Sequence, residues 1–215
     1  MSTFETTSRN KVRRLADRAS YDSEAVYAII DAVPICHVAF VSDGQPFVIP
    51  TQHARVGNTL FLHGSPGSRL IRLIGSGAPV SVSFAAVDGL VVARSIFHHS
   101  VNYRSVVVFG HGRKLEGDED LLAALRAFSE KVLPGRWDES RPPTPAEMRV
   151  TAVAAIDIES ASAKTRSGPP GDDPADIELP IWHGVIPLRP AAGPLESDST
   201  QPVPPSVQEF LGKNP

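Results

Sequence analysis

Short apolar runs separated by turn signals dominate the hydrophobic pattern, and they predict mainly antiparallel β-structure. The predicted strands are 35–42, 47–55, 59–63, 79–85, 101–109 and 150–158. Asp43-Gly44 and Gly57-Asn58 are typical of tight turns between antiparallel strands, and a further turn is predicted at Asp88-Gly89. Strands this numerous and this evenly spaced favour a small barrel.

Three segments have the apolar periodicity of helices and are placed at the margins of the strands. Asp22 can cap the first helix, and Pro34 ends it. Ser65 is predicted as the N-cap of the second helix. The third begins near Asp118 and ends at Pro134. The predicted fold class is therefore mainly β, a β-barrel with peripheral helices.

The chain is expected to divide into an arm, one domain and a tail. Residues 1–20 form a polar, locally basic arm, and residues 21–188 form the domain. The arm is expected to be solvated; the alternative is that some of its arginines fold against a partner subunit or an anionic ligand. Residues 163–173 are predicted to be a loop by composition. Residues 189–215 are rich in Pro and Ser and are predicted to be disordered, with a helical turn near 207–211.

Composition excludes several classes of partner. The 215 residues include 21 basic and 24 acidic side chains, a net charge of -3, so general attraction to nucleic acid or membranes is not expected. Cys36 is the single cysteine, which excludes an intrachain disulfide and favours a reducing compartment. No apolar run approaches the ~20 residues of a membrane helix, and the N-terminus lacks the apolar middle of a signal peptide. A cytoplasmic location is expected.

Two groups of polar residues stand beside predicted core segments. Ser65, Ser68 and Arg69 accompany a helix start, where hydroxyls, a guanidinium and free N–H groups suit a phosphate. Residues 102–105 directly precede the apolar run Val106–Phe109, which predicts a strand covered on both faces. Polar groups beside a buried strand need partners. Together the two groups describe a site for a phosphate and a heterocycle.

The seven histidines do not predict a metal site. His98-His99 are adjacent, and neighbouring side chains of an extended segment point in opposite directions. The others lack the spacing of metal ligands: His37, His53, His63, His111 and His183. No nucleophile elbow, P-loop or dinucleotide fingerprint is present. The sequence therefore identifies no catalytic residue, and no metal is expected.

Four segments in a fixed order resemble one known family. They are LHGSPGSRL at 62–70, ARSIFHHSVNYRSVVVFG at 93–110, ASAKTRSGPP at 161–170 and PIWHGVIPL at 180–188. In this order the chain resembles the FMN-binding split barrels related to pyridoxamine 5'-phosphate oxidase. The resemblance implies an antiparallel, Greek-key-like split barrel that forms a homodimer, with FMN between the subunits.

The resemblance also implies which residues contact the flavin. Backbone along the ring is contributed by Val48, Ile49, Pro50 and Thr51. The ribityl chain and phosphate are held by His63, Gly64, Ser65, Ser68 and Arg69. The ring is bordered by Asn102, Tyr103, Arg104 and Ser105, and its outer rim by Lys164, Arg166 and Trp182.

The resemblance favours an FMN-dependent oxidoreductase that acts on a small molecule, with the flavin carrying the redox chemistry. The C-terminal arginine pattern that binds substrate phosphate in pyridoxamine phosphate oxidases is not found here, so the substrate stays open. One alternative is a haem-binding or haem-handling protein, with His63 or the His98-His99 pair as the axial ligand. The other is a non-catalytic flavin carrier.

Overall fold

The computed structural model describes residues 2–214, which form a mainly β protein with peripheral helices. The strands are β1 (Ala19–Ser20), β2 (Ile35–Ser42), β3 (Gln45–Gln52), β4 (Ala54–Val56), β5 (Thr59–Gly64), β6 (Pro79–Val92), β7 (Ser100–Lys114), β8 (Ala152–Asp157), β9 (Ser160–Arg166) and β10 (Gly184–Pro187). The helices are α1 (Ser23–Ala32), α2 (Arg69–Gly75), α3 (Asp118–Val132), α4 (Pro145–Val150) and α5 (Pro205–Lys213). The predicted fold class is confirmed.

The chain divides into two compact units. Unit 1 comprises the described residues up to Val33 together with Ser83–Val108 and Ser160–Arg189. Unit 2 comprises Pro34–Val82, Phe109–Glu159 and the described residues from Pro190 onward. Strands β6 and β7 contribute residues to both units.

Unit 2 is built from antiparallel pairs with short connections. Strands β2 and β3 pair from Ile35↔Gln52 to Ser42↔Gln45, and the two turn residues both have positive φ, 52° at Asp43 and 73° at Gly44. This is the backbone that two-residue hairpin turns require. Strand β5 pairs with both β4 and β8, and β8 also pairs with the end of β7.

Strand β3 lies at a sheet edge, since among the described residues it pairs with β2 alone. The other end of the strand order is β4, so the sheet of residues 2–214 is not closed. An edge strand tolerates Pro50, which cannot donate to a ladder. Of the three positions that this proline suggests in a strand, an edge, a bulge or an opening of the ladder, the structure shows the edge.

The core of unit 2 follows the two-residue alternation of its strands. Cys36, Val38 and Phe40 of β2 are buried, and Leu60 and Leu62 of β5 are fully buried. A second cluster joins the β4 and β8 strands to α3 and consists of Ala54, Ala124, Phe128 and Val153. Helix α3 therefore covers the sheet as the sequence predicted.

The Cys36 thiol is expected to be inert in the native protein. Its side chain is fully buried, and burial raises its pKa to about 12, so the reactive thiolate is scarce. We expect no labelling by an aromatic disulfide reagent at mildly alkaline pH, and one thiol per chain in denaturant. Rapid stoichiometric labelling of the folded protein would show that β2 opens readily.

Unit 1 joins segments that are far apart in sequence. Strand β1 pairs with β9 through Ala19↔Lys164 and Ser20↔Ala163, and β10 pairs with β6 from Gly184↔Val92 to Pro187↔Gly89. Helix α1 begins after Asp22, whose carboxylate accepts a hydrogen bond from the Ala25 N–H at 3.1 Å. This is the predicted cap.

Two local predictions are wrong in unit 1. Asp88-Gly89 lies inside β6 and pairs with β10 instead of forming a turn. A Cβ on Gly89 would come within 3.1 Å of the Ile186 carbonyl oxygen. Glycine is needed here because β6 and β10 approach each other closely at this position. Residues 160–166 form strand β9 and not a loop. Its buried residues are small Ser and Ala, which lack the bulky alternation that signals a strand.

Both terminal segments make ordered contacts. In unit 1 the Asn10 side chain is 3% exposed and donates to the Ala161 carbonyl at 3.0 Å. In unit 2 helix α5 includes the predicted turn at 207–211, and Ser206 donates to Glu139 from its N–H and its hydroxyl. None of the helices within residues 2–214 combines the length and apolar composition that crossing a membrane requires.

Candidate functional site

The residues predicted to contact a flavin fall into two groups, one in each unit. Unit 2 contains Val48, Ile49, Pro50, Thr51, His63, Gly64, Ser65, Ser68 and Arg69. Unit 1 contains Asn102, Tyr103, Arg104, Ser105, Lys164, Arg166 and Trp182. Their convergence on one flavin stays a prediction.

In unit 2 the predicted phosphate residues lie between β5 and α2. Helix α2 begins at Arg69 with Ser68 as its N-cap, so the prediction of Ser65 as N-cap is wrong. Ser65 instead accepts a backbone hydrogen bond from Ser68 at 2.9 Å in the preceding turn. Among the described residues, the hydroxyls of Ser65 and Ser68 have no hydrogen-bond partner. Both hydroxyls are therefore available to a ligand.

The Arg69 guanidinium packs over the Phe47 ring of β3, 4.6 Å from the ring centroid. A cation over an aromatic face is held by the ring quadrupole, and this restricts where the guanidinium can point. The contact joins the start of α2 to β3 at the residue before Val48, which is 62% exposed. Two parts of the predicted set, the β3 edge and the α2 start, are thus neighbours.

His63, at the end of β5, packs against helix α3. Its ring lies edge-on to Phe128 with centroids 4.5 Å apart, and its Nε2 is 3.4 Å from the Gln52 Oε1. Burial lowers the pKa of His63, so the imidazole is neutral at physiological pH. A neutral imidazole can donate one hydrogen bond and accept another.

In unit 1 four of the predicted residues are joined by hydrogen bonds. Arg166 donates from Nη1 to the Asn102 Oδ1, and Asn102 donates to the Gly168 carbonyl at 3.1 Å. The Ser105 hydroxyl donates to the Lys164 carbonyl at 3.1 Å. These contacts place the start of β7 against the end of β9.

Arg104, which the resemblance assigns to the flavin border, pairs with a carboxylate of β6. Its guanidinium binds Asp88 in a bidentate pair, with Nε to Oδ2 at 2.9 Å and Nη2 to Oδ1 at 2.8 Å. The pair lowers the pKa of Asp88 and raises that of Arg104. The side of Arg104 that a phosphate or carboxylate would use is therefore already bound to a carboxylate. Its assignment to the flavin border stays untested.

Tyr103 and Trp182 lie at the surface of unit 1. Tyr103 is half-buried, and Trp182 is 65% exposed. The six-membered ring of the indole lies against Gly184, where an added Cβ would come within 3.3 Å of the Trp182 Cζ2. Glycine at position 184 therefore lets the indole lie flat at the start of β10.

The segment before β7 that contains His98 and His99 is bonded to Asp172 and Asp173, which the sequence did not assign to the site. Arg94 binds Asp172 through its backbone N–H and its Nη1, both at 2.8 Å, and both side chains are largely buried. Burial acts to raise the pKa of Asp172, but the hydrogen bonds from Arg94 bring it below its usual value. His98 Nε2 lies 3.1 Å from the Asp173 Oδ2. The sequence signal for these contacts was the pair of adjacent acids, Asp172 and Asp173, in a loop rich in Pro and Gly.

Unit 1 also contains a polar cavity of about 510 Å³ beside β1 and the end of β9. It is lined by Asp17, Arg18, Ala19, Ser20, Thr165, Arg166, Ser167, Pro169 and Gly171. Of these, the sequence assigned Arg166 to the site, and Arg18 belongs to the arm whose arginines had an anionic ligand as one alternative. The others precede β1 or follow β9, and only the strand pairing shows that they meet.

These features define a mainly β protein of the split-barrel class, with one polar station in unit 2 (Ser65, Ser68 and Arg69) and another in unit 1 (Asn102, Ser105 and Arg166). The family model described as pyridoxamine 5'-phosphate oxidase matches residues 22–165, and the chain belongs to this family. The recognition made from four sequence segments is confirmed.

Two solved structures are similar over nearly the whole chain. The flavocytochrome Anf3 from Azotobacter vinelandii is 38% identical with a TM-score of 0.86, and the match covers 94% of this chain and 96% of that one. The FAD and heme binding protein from Mycobacterium smegmatis is 37% identical with a TM-score of 0.84, covering 89% and 96%.

A more distant structure supports the fold alone. It is a putative 5-nitroimidazole antibiotic resistance protein from Bacteroides thetaiotaomicron, 19% identical with a TM-score of 0.59, covering 68% of this chain and 85% of that one. The comparison with curated proteins gave no match.

Proposed function

We propose that the protein binds a flavin nucleotide and is an oxidoreductase that acts on a small molecule. The observation that carries the proposal is the similarity, at 38% and 37% identity, to a flavocytochrome and to a protein that binds FAD and heme. Family membership over residues 22–165 supports it independently. The sequence favoured FMN, whereas the mycobacterial relative binds FAD, so both nucleotides belong in the test.

The donors of unit 2 fit the phosphate of a flavin nucleotide. Two hydroxyls without a hydrogen-bond partner among the described residues, at Ser65 and Ser68, precede Arg69 at the start of α2, and a phosphate dianion accepts charge-assisted hydrogen bonds from such groups. The open edge of β3 offers backbone N–H and C=O groups to a flat ring. A bound flavin supplies the electron-transfer chemistry, and these residues bind and orient it.

The absorbance spectrum of the purified protein is the first experiment. We expect flavin bands, or their appearance when FMN or FAD is titrated into the apoprotein. A colourless sample that takes up neither nucleotide would refute the proposal. Reduction by NAD(P)H in the presence of candidate acceptors then separates an enzyme from a carrier, because a carrier shows no catalytic turnover.

Haem binding is a second candidate, favoured by the relatives described as a flavocytochrome and as a heme binding protein. The Nδ1 of His99 accepts the Ala93 N–H at 3.0 Å, so neutral His99 has its proton on Nε2 and offers iron a ring lone pair only if that hydrogen bond breaks. His63 and His98 are the other histidines assigned to this role. Haem titration should give a Soret band. Substitution of each of these three histidines by alanine in turn should identify one variant that lacks the band. An unchanged haem spectrum on mixing would eliminate this candidate.

A homodimer is also proposed, because two adjacent apolar side chains of unit 1 are almost fully exposed. Ile96 is 86% and Phe97 is 85% exposed, in the short helical turn before β7. Large apolar groups this exposed favour burial against another surface. We expect Phe97→Ser to shift wild-type dimer towards monomer in light scattering, while Val150→Ser, 66% exposed in unit 2, has no effect. A monomeric wild type at micromolar concentration would contradict this.

A further inference from the structure

The polar cavity of unit 1 has the lining of an anion site. Its basic groups are Arg18 and Arg166, and its hydroxyls are those of Ser20, Thr165 and Ser167. Its floor is set by the β1–β9 pairing, in which Ala19 faces Lys164. Small ligands typically occupy pockets of about 300–1,000 Å³, and the cavity of about 510 Å³ falls in this range.

Arg18 is a half-buried cation without a counter-ion. Within residues 2–214 its guanidinium has no hydrogen-bond or ion-pair partner, although its backbone N–H is bonded to the Leu15 carbonyl. A guanidinium has five N–H donors in a fixed fork that matches phosphate oxygens. An unpaired fork at a cavity wall is therefore a ready donor for a bound anion.

Arg166 is held in place but keeps donors for a ligand. Its Nη1 serves Asn102 and the Gly168 carbonyl, and its Nη2 donates to the Pro169 carbonyl at 3.1 Å. In the described part of the chain this leaves its Nε–H and one N–H of Nη2 unused. Arg166 is thus oriented before any ligand arrives, which reduces the entropic cost of binding.

The surrounding charge also favours an anion. Residues 1–20 contain five basic and two acidic side chains, and Lys164 donates to the Arg14 carbonyl beside the cavity. Asp17 is the one acid in the lining and opposes an anion there. Two guanidiniums and three hydroxyls outnumber it, and they suit a ligand with more than one negative charge.

We propose that this cavity binds the diphosphate group of an organic diphosphate. Two sources share this chemistry: a free nucleoside diphosphate and FAD, which contains a diphosphate that FMN lacks. With FAD as the source the inference rests on the proposed flavin function. With a free nucleotide it does not, so ADP is the probe that tests the cavity alone.

Calorimetric titration of the full chain with ADP tests the site. We expect saturable binding that Arg18→Gln weakens by about tenfold or more, the loss typical of a hydrogen bond to a charged group. Arg13→Gln removes an equal charge from the same arm outside the cavity and should leave the affinity unchanged. Asp17→Asn should tighten binding, because it removes the opposing carboxylate. The variants should retain the wild-type melting temperature.

FAD and FMN titrations separate this inference from the proposed function. If the cavity takes the diphosphate of FAD, Arg18→Gln weakens FAD but not FMN. Flavin binding with no ADP binding and an unchanged FAD to FMN ratio in Arg18→Gln overturns the inference and leaves the function intact. ADP binding by a protein that takes up no flavin supports the diphosphate site and refutes the proposed flavin-dependent function. Equal losses in Arg18→Gln and Arg13→Gln would reduce the effect to general electrostatics and also overturn it.

Discussion

Arg69→Ala is expected to weaken flavin binding by about 1.5–3 kcal/mol, which is roughly tenfold to 150-fold in the dissociation constant. Arg69 is the one cation of the unit 2 polar station, and its guanidinium lies 4.6 Å from the centroid of the Phe47 ring. Its loss removes a charge-assisted hydrogen bond to the phosphate and the packing on β3. The measurement is a flavin fluorescence titration with FMN and with FAD.

A matched control is available in the same helix. Arg72 is also in α2 and lies on the wall of a different cavity, so Arg72→Ala removes an equal charge away from the station. We expect its flavin affinity to stay near wild type. If Arg69→Ala binds FMN as tightly as wild type does, the phosphate lies elsewhere and the residues assigned to it are wrong.

Alternation and turn chemistry predicted most of the sheet. Asp43-Gly44 fixed the β2–β3 hairpin, because only a few residues accept positive φ at both turn positions. The same rule failed at Asp88-Gly89, where the glycine serves a close approach to β10. Local sequence is the same in both places, and the difference lies in the strand that packs against it.

Strand β9 was missed for a related reason. Its buried Ser and Ala residues have little intrinsic preference for strands, and they are held by pairing with β1 and β7. Those partners are more than fifty residues away along the chain. A strand that is stabilised mainly by pairing with its partners has a weak strand signal in its own sequence.

The sequence predicted which residues belong to the site, but it did not predict which of them form hydrogen bonds with each other. Asn102 and Arg166 were both assigned to one ligand, and the structure joins them by a hydrogen bond across 64 positions. Arg104 had the same signature, yet Asp88 binds its guanidinium from inside a predicted turn. A polar residue beside a core strand predicts that a partner exists, and only the fold decides whether that partner is a ligand or a carboxylate.

The largest expected effect on stability is that of Val108→Asp, which should prevent cooperative folding. Val108 is fully buried in β7, and an unpaired carboxylate there costs more than most single substitutions, about 4–5 kcal/mol or above. That is comparable with the total stability of a marginal domain, about 5–15 kcal/mol. Far-UV circular dichroism and thermal melting of the purified variant provide the measurement.

Val107→Asp is the control, and it corrects the expectation that β7 is covered on both faces. Val106 and Val108 are buried, whereas Val107 and Phe109 are only half-buried, so burial alternates along the strand. A carboxylate at 107 can reach water and should lower the melting temperature without abolishing the transition. Equal damage from both variants would mean that the second face of β7, where Val107 lies, is covered in solution.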